Sequence, residues 1–169
     1  MIRTLREEDL PAVLAIYNDA ILHTTAIYRY TTVTLEERRE WFGAHRQAGY
    51  PLLAAEQAGR VVGFATYGPF RPYPAYKYTV EHSVYVAGDC RGRGIGRRLM
   101  EELLRAAEHS YAVMVAGIDS ENTGSIRLHE RLGFECAGTI PRAGFKFGRW
   151  LDLVFYQRTL AGPDRPVDG

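Results

Sequence analysis

Residues 91–98 read Arg-Gly-Arg-Gly-Ile-Gly-Arg-Arg, three glycines and four arginines between a strand-like run (YTVEHSVYV) and a helix-like run (LMEELLRAAEHS). Glycine lets backbone N–H groups approach a phosphate, and a helix N-terminus adds partial positive charge. The simplest chemistry for this stretch is therefore anion binding; a solvated arginine turn is the plain alternative. It is not a P-loop, because no Gly-Lys-[Ser/Thr] ends it. Gly92, Gly94 and Gly96 give G-x-G-x-G, not the dinucleotide pattern G-x-G-x-x-G. Groups able to move protons or hold charge stand nearby in the chain. Glu81 lies on the polar side of an otherwise apolar strand, as a base or as a salt-bridged carboxylate. His129 lies on a short helix, where an imidazole can exchange a proton near neutral pH or serve structure alone. Arg71, in the loop GPFRPYPAY before the Glu81 strand, suits bidentate capture of a carboxylate, or solvation. Cys90 borders the glycine run, but a nucleophilic thiol needs an activating base. It reads as incidental.

The elements that must position these groups follow from periodicity. A short strand over 2–6 precedes an amphipathic helix over 8–22, with Leu10, Val13, Leu14, Tyr17 and Ile21 on one face. Thr34 and Glu37 stand in capping-box spacing at the head of a second helix. Leu35, Arg38, Trp41, Phe42 and His45 share one side of it, and Gly49 stops it. PLLAAE and VVGFATYG flank a turn at Gly59 and read as a hairpin. Over 78–86, Tyr78, Val80, His82, Val84 and Val86 alternate with Thr79, Glu81, Ser83 and Tyr85. A third helix buries Ile95, Leu99, Met100, Leu103, Leu104 and Ala107. A buried strand (YAVMVAGI) leads to a fourth helix, opened by Asn122 as N-cap and ended by Gly133. FECAGTI and RWLDLVFYQRTL close the chain as strands, with PRAGFKFG as the loop between them. The order predicts one α/β (α+β) domain over residues 1–160, a mixed, mostly antiparallel sheet of about seven strands flanked by about four helices. Residues 161–169, rich in Gly, Pro and Asp, read as a flexible tail.

Composition narrows the function. A formal net charge of +1 over 169 residues argues against general nucleic-acid binding. Cys90 and Cys136 form no C-x-x-C pair, so no zinc or thioredoxin-like site is indicated, and no metal is expected. The first ten residues lack a signal-peptide core, and YAVMVAGI is too short to span a bilayer. The expectation is a cytoplasmic protein with no membrane or nucleic-acid partner.

Arg91, Gly94 and Gly96 fill the pattern [RQ]-x-x-G-x-[GA], with Gly92, Arg93 and Ile95 between them. Together with SVYV upstream and NTGSIRLHERLGF downstream, this resembles the GNAT superfamily of N-acetyltransferases across residues 1–160. The segments IYNDAILHTTAIY, GYPLLAAE, TVEHSVYV, SIRLHERLGF and KFGRWLDL resemble the phosphinothricin and methionine sulfoximine N-acetyltransferases in particular. Phe70 departs from the tryptophan usual among those relatives.

The resemblance implies acetyl-CoA as co-substrate and a small amino-acid-like acceptor, acetylated at its α-amino group by direct attack in a ternary complex. It implies cofactor contacts from Val84, Tyr85, Val86, Arg91, Gly92, Arg93, Gly94, Ile95, Gly96, Arg97, Asn122 and Ser125, with an oxyanion donor near the Val84 N–H. It favours Glu81 as base, and His129 as a second catalytic group whose direction, acid or base, stays open. Phe70, Arg71, Pro72, Tyr78, Thr79, Glu81 and Tyr28 are the expected acceptor contacts, with Thr25 and Ile27 beside them. Relatives of this kind imply a homodimer. A non-catalytic acyl-CoA sensor is the competing reading, and Glu81 and His129 discriminate, since a sensor needs neither.

Overall fold

The computed structural model describes residues 1–169. Its backbone contacts divide the chain into two compact units, Met1–Tyr67 with Ser83–Leu103, and Gly68–His82 with Leu104–Gly169. Seven strands hydrogen-bond in the order β1-β2-β3-β4-β5-β7-β6. They are β1 (Ile2–Thr4), β2 (Leu52–Gln57), β3 (Arg60–Pro69), β4 (Thr79–Val86), β5 (Val113–Asp119), β6 (Glu135–Lys146) and β7 (Arg149–Thr159). Four helices, α1 (Leu10–His23), α2 (Leu35–Gln47), α3 (Ile95–Ala107) and α4 (Thr123–Arg131), complete the expected α/β class.

In the first unit, α2 begins where its side chains dictate. Thr34 Oγ1 accepts from the Glu37 N–H at 3.2 Å, and the Glu37 carboxylate accepts from the Thr34 N–H at 2.6 Å. Arg38 and Phe42 are buried on its inner face. The Arg38 guanidinium lies over Tyr17 at 4.2 Å and over Trp41 at 4.7 Å. Residues 24–34 form neither helix nor strand. They are held by Asn18, which accepts from the Val33 N–H and donates to the Val33 carbonyl, while Ile27 and Val33 pack on Ala20 and Ile21. Ile27 is therefore part of the buried cluster of this unit. At Gly63 in β3, a Cβ would stand 3.0 Å from the Tyr85 carbonyl oxygen and 3.3 Å from Ile95 and Leu99. Glycine is thus what lets the end of β4 and the start of α3 close on β3.

In the second unit, β4 pairs with β5 in parallel, Glu81 opposite Val115, and β5, β7 and β6 continue antiparallel. In α3, whose residues up to Leu103 belong to the first unit, Ile95, Leu99, Met100, Leu103, Leu104 and Ala107 are all buried as the helical period predicts, each large one stabilising by roughly 1.5–3 kcal/mol.

Two expectations change. The segment PRAGFKFG is not a loop: β6 runs on to Lys146 and turns at Phe147–Gly148, both at positive φ (52° and 71°). Pro141 and Gly144 read as breakers, but the register shift between Ile140 and Gly144 absorbs them. β4 does not present one apolar and one polar side. Only Val80 is fully buried, and the other seven residues are partly covered, so both sides of the strand are in use. Beyond β7, the Leu160 N–H donates to Ala112, Gly162 to Glu108, and the Val167 N–H to the Tyr78 hydroxyl at 3.0 Å.

Candidate active site

The glycine run folds as a tight turn, Gly88–Cys90, then an extended Arg91, then α3. Gly92 and Gly94 sit at φ 75° and 74°, and a Cβ on either would meet nothing within 4 Å. Both glycines are needed for backbone conformation, and the space above them is open. The first helical bond runs from the Arg98 N–H to the Gly94 carbonyl, so the N–H groups of Ile95, Gly96 and Arg97 precede the ladder. Neighbouring charges hold the run in place. Asp89 takes a bidentate pair from Arg60 at 2.7 and 3.1 Å, Arg97 pairs with Glu101 at 2.8 Å, and the Arg91 Nε donates to the Val86 carbonyl at 3.3 Å. Cys90 is buried and free, and Arg93 is exposed. Upstream on β4, Val84, Tyr85 and Val86 are half-buried, with Tyr85 edge-on to Tyr17 and tilted against Phe64. Tyr28 is exposed.

Earlier on the same strand, Glu81 is half-buried. On β5, a Cβ at Gly117 would stand 3.3 Å from the Leu153 side chain and 3.5 Å from the Glu81 Oε1, so the carboxylate lies over this glycine. Burial raises the Glu81 pKa above the usual carboxylate range, and the Arg71 charge partly opposes this. Arg71 is exposed, donates to the Phe70 carbonyl at 2.8 Å, and lies over the Phe70 ring at 4.3 Å. Phe70 stands between Tyr76 and Phe155. These rings, with Thr79, Val115 and Ile140, line a cavity of about 450 Å³. Thr79 and Glu81 share one side of β4, so the cavity opens on the side that carries the carboxylate. Pro72 is exposed in the same loop, and Tyr78 turns to the C-terminal segment instead.

On α4, Asn122 is the N-cap, accepting from the Ser125 N–H at 3.2 Å. His129 is 5% exposed and engaged at both nitrogens. Its Nδ1 lies 2.7 Å from the Ser125 carbonyl oxygen, and its Nε2 lies 2.9 Å from Nε2 of His82. His82 is the residue that sequence reasoning missed, because alternation placed it among the apolar positions of β4. Burial, then the neighbouring His129, push the His82 pKa down to about 3. Burial also lowers that of His129, against the pull of the Ser125 carbonyl.

This pair makes stability depend on pH. Unfolded, both imidazoles take up protons as pH falls through about 6.5. Folded, they resist, so the unfolded chain binds more protons below that pH and stability drops on acidification. For His82 alone the loss at pH 5 is about 2 kcal/mol. Urea midpoints at pH 7 and pH 5 check this: the midpoint should fall, and an unchanged value at pH 5 would contradict a neutral buried pair.

A model of the Acetyltransferase (GNAT) family matches residues 11–134. The chain is 52% identical over 161 residues to the L-methionine sulfoximine/L-methionine sulfone acetyltransferase of Pseudomonas paraeruginosa (strain DSM 24068 / PA7), with 94% of each chain covered. It is 39% identical over 165 residues to the phosphinothricin N-acetyltransferase of Alcaligenes faecalis, covering 96% of this chain and 84% of that one. The crystal structure of a GNAT superfamily phosphinothricin acetyltransferase (Pat) from Sinorhizobium meliloti in complex with AcCoA superposes with a TM-score of 0.95 at 35% identity, covering 100% of this chain and 94% of that chain.

Proposed function

The chain belongs to the acetyltransferase (GNAT) family, and on that premise we propose that it acetylates the α-amino group of a small amino-acid-like acceptor from acetyl-CoA. Methionine sulfoximine, methionine sulfone and phosphinothricin are the acceptor types that the names of the relatives support. The observation that carries the reading is the half-buried Glu81 carboxylate, raised in pKa, on the side of β4 where an aromatic cavity opens and within the field of Arg71.

The residues present fit acetyl-CoA. Open space over Gly92 and Gly94, the first N–H groups of α3, and the Arg91 and Arg93 side chains suit a pyrophosphate. Its thioester supplies the acyl group. Arg71 orients the acceptor through its carboxylate, and the cavity walls Phe70, Tyr76 and Phe155 receive its side chain. Glu81 removes a proton from the ammonium, because attack needs a neutral nitrogen and an α-amino group is still largely protonated at pH 7. An N–H near Val84 stabilises the developing oxyanion. Buried Cys90 takes no part, so transfer is direct: the new nitrogen–carbon bond forms as the carbon–sulfur bond breaks, and the departing thiolate takes up the proton that the acylated nitrogen sheds. Ile140, Phe145, Phe147 and Trp150, each about half exposed on the β6–β7 hairpin, support a homodimer formed through that hairpin.

Release of free thiol from acetyl-CoA against a panel of amino acids tests the function. We expect turnover with methionine sulfoximine, methionine sulfone or phosphinothricin, and none with their N-methylated, carboxyl-esterified forms. Acetyl-CoA that raises the Tm while no acceptor releases thiol would leave the sensor reading instead.

A further inference from the structure

The transfer scheme leaves one pair of titratable side chains on β4 and α4 unused. His82 lies on the opposite side of β4 from Glu81 and meets His129 with Nε2 to Nε2 at 2.9 Å. The ring planes differ by 14° and the centroids are 5.0 Å apart, further than the nitrogens, so the rings meet edge to edge. Phe134 packs edge-on against both, at 5.8 and 5.1 Å, and closes the pair.

Proton counting fixes the tautomers. Two groups of Ser125 face Nδ1 of His129, the carbonyl oxygen at 2.7 Å and the hydroxyl oxygen at 3.4 Å; the nearer one only accepts, so Nδ1 carries a proton. A neutral imidazole has one N–H, so Nε2 of His129 is a lone pair, and His82 must donate to it from Nε2. Nδ1 of His82 is then bare. It is enclosed and has no partner. The opposite assignment would bury an N–H without an acceptor and set two lone pairs face to face, which costs more. Both ends of the pair give the same answer. His129 has spent its lone pair, and the pair can gain a proton at one place only.

We propose that His129 is a positioning residue, not the acid of the reaction: it holds His82 in the Nε2–H tautomer and leaves Nδ1 of His82 as the only basic nitrogen the pair offers. His82 is thus held in one tautomer by His129, which is itself held by the Ser125 carbonyl. The functional part of this assignment rests on the acyl-transfer reading above; the tautomers do not.

Two measurements test it. Two-bond 1H–15N spectra of the imidazoles at pH 7 should show the proton on Nδ1 of His129 and on Nε2 of His82, both rings neutral. A proton on Nε2 of His129, or a cationic ring, would overturn the assignment whatever the activity. Kinetics use His129→Gln, whose amide oxygen can still accept from His82, and His129→Leu, which cannot. We expect His129→Gln to keep kcat within about threefold, and His129→Leu to lose roughly tenfold or more in kcat with the acetyl-CoA KM unchanged. Equal damage in both variants would mean that the His129 imidazole itself transfers protons, and sinks the proposal. A wild-type protein that releases no thiol with any acceptor would fail the enzymatic reading but leave the spectra to decide the tautomers.

Discussion

Glu81→Gln should lower kcat at neutral pH by roughly a hundredfold or more, within the usual contribution of a positioned general base. Glutamine keeps the shape that lies over Gly117 and removes only the basicity. The KM for acetyl-CoA should stay near its wild-type value, because the glycine run that suits the pyrophosphate is untouched. The loss should shrink as pH rises through about 8, where the acceptor reaches the enzyme already as a neutral amine and no longer needs the base. In the wild type, the acid limb of the kcat/KM profile should lie above the ordinary glutamate range, because burial raises the carboxyl. Paired pH–rate profiles of the two proteins measure all of this. Superimposable profiles would remove Glu81 from the mechanism.

Arg71→Ala should act twice. Loss of a charge-assisted hydrogen bond to the acceptor carboxylate costs roughly 1.5–3 kcal/mol, or about ten- to more than a hundredfold in acceptor kcat/KM. The α-carboxylate is one carbon from the amine, so the same contact aims the nucleophile at the thioester. The second effect is electrostatic. Arg71 is the charge that opposes burial at Glu81. Removing it disfavours the carboxylate, so the Glu81 pKa rises further and the acid limb moves to higher pH. A purely structural role for Arg71 would lower the profile without moving it along the pH axis. Esterified acceptor should be poor for the wild type and hardly worse for the variant. An ester used as well as the free acid by the wild type would rule out a carboxylate clamp.

Much of this protein was legible before folding was considered, wherever the cause is local. The Thr34–Glu37 capping box needs only three residues of separation to close. The buried stripe of α3 follows from a period of 3.6, and the glycine run forms as written because positive φ at Gly92 and Gly94 is a property of the residue. Glu81 as a carboxylate on a strand was legible too; the rise in its pKa was not, since that comes from burial in the folded chain, where the carboxylate lies over Gly117, 36 positions away.

Where the deciding partner is distant, local rules pointed elsewhere. Pro141, Gly144 and Gly148 spell a loop, yet pairing with β7 carries β6 through to Lys146, because the Gly144–Leu151 and Phe145–Trp150 pairs outweigh the breakers once a bulge relieves them. His82 sat among apolar positions and had no apparent task. Its ring acquires one only when β4 and α4 bring it to His129, 47 residues later. The sequence by itself determined which residues could bind an anion, take a proton or cap a helix, since those are properties of side chains and short spacings. Tertiary structure decided which nitrogen of His129 carries a proton and which lone pair remains, because a neutral imidazole's tautomer is set by the groups that meet its two edges, and here those groups come from separate elements.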